Sequence, residues 1–156
     1  AVAGCADSRS GGLKTESLRH FGTATVVEVI DGDTIDIRID GRTETLRLIG
    51  IDTPETKHPR KPVQCFGQEA SAFTAGALPI GTQVRIERDI EARDVYDRLL
   101  AYIFRLSDDM FINLQLARQG YARVLTIEPN TAYLSDFVAA ANEARTNNLG
   151  LWQACR

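Results

Sequence analysis

Four acids stand at the ends of apolar runs: Asp31 and Asp33 in VIDGDT, and Asp52 and Glu55 in IDTPE. Brought together, four carboxylates repel one another unless solvent, basic partners or a cation balances them. A hard cation such as Ca2+ takes oxygen ligands from carboxylates, carbonyls and water, so the group asks for a metal. An EF-hand is excluded: counted from Asp31, the fifth position is Ile35 and the sixth Asp36, where that loop needs an oxygen ligand and a glycine. Read alone, DGDT is also an ordinary polar turn, since Asp-Gly is a common turn pair. Arg47 and Arg98 shift that balance. Guanidinium groups match phosphate oxygens bidentately and stay charged at any working pH. A cation site, two arginines and a spare carboxylate are what phosphodiester hydrolysis requires, because positioning and charge stabilisation carry most of that chemistry.

These residues need a scaffold. Residues 23–29 (TATVVEV), 35–39 (IDIRI) and 43–49 (TETLRLI) are rich in β-branched and apolar residues, the last two with period-two alternation, and predict three consecutive strands. Asp40-Gly41 is a short hairpin signal, because Gly accepts the positive φ of such a turn. In the third strand Leu46 and Leu48 face one way, which puts Arg47 on the other face. The segment DTPETKHPRKPV, with three prolines, is then an exposed loop. A helix is predicted over 67–78, strands over 82–88 and 98–104, and a short helix over 112–119 closed by Gly120. An amphipathic helix follows over 131–147, with Leu134, Phe137, Val138, Ala141 and Ala144 at helical spacing. Five short strands and three helices without βαβ regularity predict an α+β, mainly β domain: a small OB-fold barrel with helices packed around it.

At 156 residues, 44% apolar and 25% charged, the chain can bury one core, and no apolar run approaches the roughly 18 residues of a membrane helix. A net charge of −3 gives no global attraction to nucleic acid, so polyanion binding must be local. Residues 1–20 read as a flexible tether and 21–156 as the domain. AVAGCADSRSGG is small, polar and Gly/Ser-rich, and its VAGC is similar to a bacterial lipobox, which predicts a lipidated Cys5, a membrane tether and a signal segment already missing. A chance VAGC is the alternative. If Cys5 carries lipid, Cys65 and Cys155 remain as a pair suited to an oxidising, exported setting; otherwise they are two free thiols.

VIDGDT, LRLIGIDTPETKHPRK, FGQEASAF, YDRLLAYIF, LARQGYARV and the final GLW, in that order, resemble the staphylococcal nuclease (thermonuclease) family over about residues 24 to 152. The resemblance implies an OB-fold and a Ca2+-dependent, bacterial-type exported nuclease. Its substrates would be single-stranded DNA, duplex DNA and RNA, cut to 3′-phosphates, with no obligate protein partner. It implies that Asp33, Asp52 and the Thr53 carbonyl hold the ion, with Asp31 an acid behind them. It also implies that Glu55 activates water, Arg47 and Arg98 bind phosphate, and Tyr96 lines the nucleotide site. The basic loop suggests Lys57 and Lys61 as phosphate contacts, or a merely solvated loop.

Two departures stand out. Tyr96-Asp97-Arg98 replaces the family's Tyr-Gly-Arg, so Asp97 is expected to tether or weaken Arg98. Thr126 and Ile127 lie where the best-known member has an aromatic pair, which predicts reduced base stacking. His58 and His20 are expected to be bystanders. The alternative function is a catalytically weak nucleic-acid or protein-binding OB module.

Overall fold

The computed structural model describes residues 20–156. Cys5, most of the proposed tether and the side chain of His20 lie outside the described residues.

The expected strands form, and they close. Strands β1 (His20–Asp31), β2 (Thr34–Ile39), β3 (Arg42–Leu48), β5 (Gln83–Glu87) and β6 (Leu99–Arg105) run in the order β3-β2-β1-β5-β6, and a parallel pairing of β3 with β6 shuts the sheet into a five-stranded OB barrel. Between them comes β4 (Gly50–Asp52), then helix α1 (Gly67–Ala77). After β6 follow β7 (Met110–Phe111), α2 (Ile112–Arg118), β8 (Arg123–Leu125), α3 (Leu134–Thr146) and α4 (Leu151–Ala154).

The alternation read from sequence fills the barrel. Ile35, Ile37, Leu46, Leu48, Val84, Ile86 and Ile103 are all at most 1% exposed. Period-two residues on closed strands point to a common interior, where each buried aliphatic side chain contributes about 1.5–3 kcal/mol. The Asp40-Gly41 hairpin has positive φ at both residues (49° and 75°), the geometry that matches strand twist.

Two features are not periodic. Strand β4 pairs with β8 outside the barrel, Asp52 opposite Arg123. Buried Asn113 pins the exit of β3: its Oδ1 accepts from Ile103 N–H, and its Nδ2 donates to the carbonyls of Ile49 and Ala101. Helix α3 starts at Leu134 rather than Thr131, whose carbonyl accepts the Leu134 N–H. Its buried stripe is Phe137, Ala140, Ala141 and Ala144, while Leu134 and Val138 are exposed. The small alanines let α3 lie close to α2, and the larger side chains are left on the outer face.

Gly50, at φ +84°, lets the chain turn from β3 into β4 under Phe137: a Cβ there would lie 2.2 Å from the Phe137 ring. Gly41, also at positive φ, has open space around it. Gly50→Ala is therefore expected to cost about 2–4 kcal/mol from overpacking plus left-handed strain, against about 1 kcal/mol for Gly41→Ala. Urea unfolding of the two variants checks this, and equal losses would sink the packing account.

Candidate active site

The DGDT turn is both a turn and a site. Asp31 pairs with Thr34 across the β1–β2 hairpin, so Gly32 and Asp33 form the tip, and both acids are buried at 6% exposure. Buried carboxylates must be hydrogen-bonded, and these are. Asp31 Oδ1 accepts from Gly32 N–H (2.9 Å) and the Thr56 hydroxyl (2.7 Å), and its Oδ2 accepts from Thr56 N–H. Asp33 Oδ2 accepts from Thr53 N–H at 2.9 Å. Gly32 is required by close approach, since a Cβ there would meet the Thr53 side chain at 2.8 Å. From α1 the Thr74 hydroxyl donates to the Gly32 carbonyl. The turn thus fastens the loop after β4 to the barrel.

Arg47, reaching across from β3, balances the acids. Its Nη2 lies 3.1 Å from both Asp33 Oδ2 and Asp52 Oδ1, and its Nη1 donates to the carbonyls of Leu48 and Ile51. The balance is incomplete. Burial pushes the Asp52 carboxyl above the ordinary carboxylate value although about half the side chain reaches solvent; Arg47 opposes the rise, and the charges of Asp33, Glu55 and Asp31 add to it.

A hard cation fits this donor set. A positive nitrogen already sits between two carboxylate oxygens, and the buried Thr53 hydroxyl beside them has no hydrogen-bond partner. Among the described residues no three His, Cys, Asp or Glu side chains converge as a metal cluster. The fit is therefore to an ion that completes its shell with main-chain oxygen and water, as Ca2+ and Mg2+ do.

Glu55 is held separately. Its Oε1 accepts from Lys57 N–H at 2.6 Å, its N–H donates to the Gln64 side chain, and its carbonyl accepts from Gln64 N–H. Gln64 thus grips the Glu55 main chain from both sides. Its neighbour Cys65 is bonded to Cys155 beyond α4, with Cα atoms 5.8 Å apart, so the loop is anchored to the C-terminal tail. The pairing read from sequence is formed.

One cleft of about 530 Å³ gathers Asp33, Arg47, Asp52, Thr53, Glu55 and Arg98. Asp31, Lys57 and Lys61 line it too, as does His58, whose ring accepts from Arg60 N–H. Tyr96 sits next door, 77% exposed, in an apolar cleft of about 410 Å³ with Val95, Leu125 and Ile127. Arg47 and Arg98 border both clefts.

The tether on Arg98 is Asp94, not Asp97. Asp94 Oδ2 holds Arg98 Nε at 2.7 Å, and Asp94 Oδ1 accepts the main-chain N–H of Tyr96 and Arg98. Burial alone would raise the Asp94 carboxyl, but the Arg98 hydrogen bonds and charge hold it below its ordinary value. Asp97 instead turns the chain at φ +63° and faces Arg93, whose Nη1 donates to its carbonyl. Sequence reading missed Gln64 and Asp94; the Asp four residues before Arg98 was the visible signal for the second.

Comparison with known proteins places most of the chain. A family model described as staphylococcal nuclease homologue matches residues 45–154. A thermonuclease of Staphylococcus intermedius is 47% identical over 144 residues, 92% of this chain and 84% of its own length. A thermonuclease of Staphylococcus hyicus is 41% identical, covering 93% and 85%. The endonuclease YncB of Bacillus subtilis is 34% identical, covering 94% and 69%.

The bridge closes a loop across a separation of 90 residues. Such a link stabilises by about 2–4 kcal/mol, chiefly by restricting the unfolded chain. Cys155→Ser is expected to lose that amount in urea unfolding, and a loss under about 1 kcal/mol would refute a stabilising role for the bridge.

Proposed function

The chain belongs to the staphylococcal nuclease family, and from that premise we propose that it is a Ca2+-dependent nuclease hydrolysing phosphodiester bonds of DNA and RNA to 3′-phosphate ends. The observation that carries the proposal is one cleft holding two arginines, an acid pair that one of them, Arg47, bridges, and a separately oriented carboxylate.

Asp33, Asp52 and the Thr53 carbonyl would hold the ion, which when bound supplies positive charge to a phosphoryl oxygen. Arg98, its Nε fixed by Asp94, presents its remaining N–H edge to the phosphate. Arg47 Nη2 is committed to Asp33 and Asp52, so its availability to phosphate depends on what else balances those acids. Glu55 takes the proton of the attacking water as the new P–O bond forms; the bond to the 5′-oxygen breaks and that oxygen is protonated from solvent. The Lys57 N–H on Oε1 orients the carboxylate and leaves Oε2 for the water. Lys57 and Lys61 meet neighbouring phosphates, and Tyr96 lines the nucleoside side. The Cys65–Cys155 bridge supports an exported setting, where such bonds persist, and lipidation of Cys5 would tether the enzyme at a membrane.

Incubation with single-stranded DNA, duplex DNA and RNA in Ca2+ is expected to give cleavage that EGTA stops; no Ca2+-dependent cleavage of any polymer would refute the proposal. Glu55→Gln is expected to lower kcat by about 10²–10⁴-fold with an unchanged unfolding midpoint, and near-normal turnover would remove Glu55 from the role of base.

A further inference from the structure

Three other arginines of the barrel are held by carboxylates, Arg85 by Glu87 and Asp109, Arg93 by Glu44 and Arg105 by Asp108, while Arg88 lies 4.3 Å from the centroid of the single Phe21 ring. Arg123 and Arg145 differ. Both are exposed, and among the described residues neither has a carboxylate within 4.0 Å. Instead both guanidinium carbons lie against one ring, 4.8 Å and 4.6 Å from the Trp152 centroid. Stacking fixes the plane of a guanidinium and leaves its N–H edge free, which is the arrangement that recognises phosphate. In a chain of net charge −3, two fixed and unpaired cations are a local invitation to a polyanion.

Their place in the fold says which polyanion. Arg123 is the cross-strand partner of Asp52, and directly opposed residues on paired strands share a face. Asp52 and Gln64 line the catalytic cleft and also a second cleft of about 270 Å³, whose far wall is Arg123 and the Cys65–Cys155 bridge. Arg123 in turn borders a depression of about 350 Å³ with Arg145, Asn142 and Trp152. Successive hollows thus share walls from Glu55 to Trp152, and Tyr96 lines none of them. The Asp52 carboxylate would repel a phosphate at the near end, but it is engaged by Arg47. The anion therefore belongs at the Arg123 end.

We propose that Arg123 and Arg145, stacked on Trp152, form a phosphate-binding station for the backbone of a single-stranded polynucleotide leaving the catalytic cleft past Asp52. The proposal rests on the nuclease reading for its ligand, but its test does not need turnover. The station would act on long substrates and be invisible to short ones, since a dinucleotide spans only the catalytic cleft. It would also make binding more salt-dependent, each backbone contact on a single strand adding about 0.7 to the slope of log affinity against log salt.

Trp152 is the one tryptophan of the chain, so its emission reports on the station directly. The whole protein, in EGTA, is titrated with an oligothymidylate of about 12 nucleotides, a length within the usual single-strand site sizes, and separately with the dinucleotide TpT. The oligonucleotide is expected to change the Trp152 emission and TpT to leave it unchanged. Arg123→Ala and Arg145→Ala should each weaken the oligonucleotide about five-fold or more and lower the salt slope by about 0.7, with TpT affinity unaltered. Arg123→Lys, which keeps the charge, should retain the slope; it also separates lost charge from lost packing if the alanine variant unfolds. Unchanged oligonucleotide affinity in both alanine variants, or an equal loss for TpT, overturns the station. So does an emission change caused by phosphatidylglycerol vesicles and not by the oligonucleotide. If the wild type binds as expected yet cleaves nothing, the catalytic reading falls and the station stands.

Discussion

The site depends on one guanidinium. Burial raises the Asp52 carboxyl, the nearby charges of Asp33, Glu55 and Asp31 add to the rise, and Arg47 is the cation that two of these four acids share. Its position is set by the barrel. Strand β3 pairs with β2 on one side and β6 on the other, so its inner residues Leu46 and Leu48 are locked in the core and Arg47 must project from the opposite face. The carbonyls of Leu48 and Ile51 then hold Nη1, which orients Nη2 towards the acids. Breaking such a partly buried pair by removing Arg47 would leave like charges together, the costly way to disrupt an ion pair. The same registry that closes the barrel therefore places the charge around which the site is arranged.

The loop bearing Glu55 has no secondary structure to fix it, and side-chain chemistry takes over that task. Asp31 binds Thr56, Asp33 binds Thr53, Gln64 grips the Glu55 main chain, and the disulfide joins Cys65 to the tail. Loops carry reactive groups well when a rigid scaffold holds their ends, and here the hold is distributed along the loop as well. Asp31 belongs to this fastening: its carboxylate is occupied by Gly32 and Thr56 donors.

The barrel was legible because period two and a closed core are the same statement: alternate residues must be apolar if every strand has an inside. The Asp40-Gly41 hairpin was legible for a similar reason, since few residues tolerate two successive positive φ angles. The short β4–β8 ladder was not. Three-residue strands outside a core impose no pattern, and Arg123 opposite Asp52 is a consequence of tertiary folding alone. The α3 stripe misled because Leu134 and Val138 have helical spacing, while close packing on α2 selected alanines. At the site, the acids and arginines were readable from their company at strand ends. Gln64 was not, because a glutamine in a proline-rich loop has no distinguishing neighbours, and its grip on Glu55 spans nine residues.

Asp97 shows how a local departure is absorbed. A residue with a side chain at φ +63° costs about 1–2 kcal/mol, but Asp is among the few that tolerate the left-handed region, and Arg93 holds both its carbonyl and its carboxylate. That pairing draws the Asp97 charge away from Arg98, which keeps its own partner in Asp94. The adjoining cleft is less fully compensated. Leu125, Ile127 and Val95 around Tyr96 offer apolar area without π faces, so Tyr96 would be the one ring lining that cleft on which an entering base could gain the roughly 1–3 kcal/mol of aromatic stacking. With one ring to stack on, recognition of a polynucleotide would lean on the backbone, which every base sequence shares. On the nuclease reading proposed above, the two clefts bordered by Arg47 and Arg98 would contribute unequally: the phosphate side would fix the strand, and the nucleoside side would accept whichever base arrives.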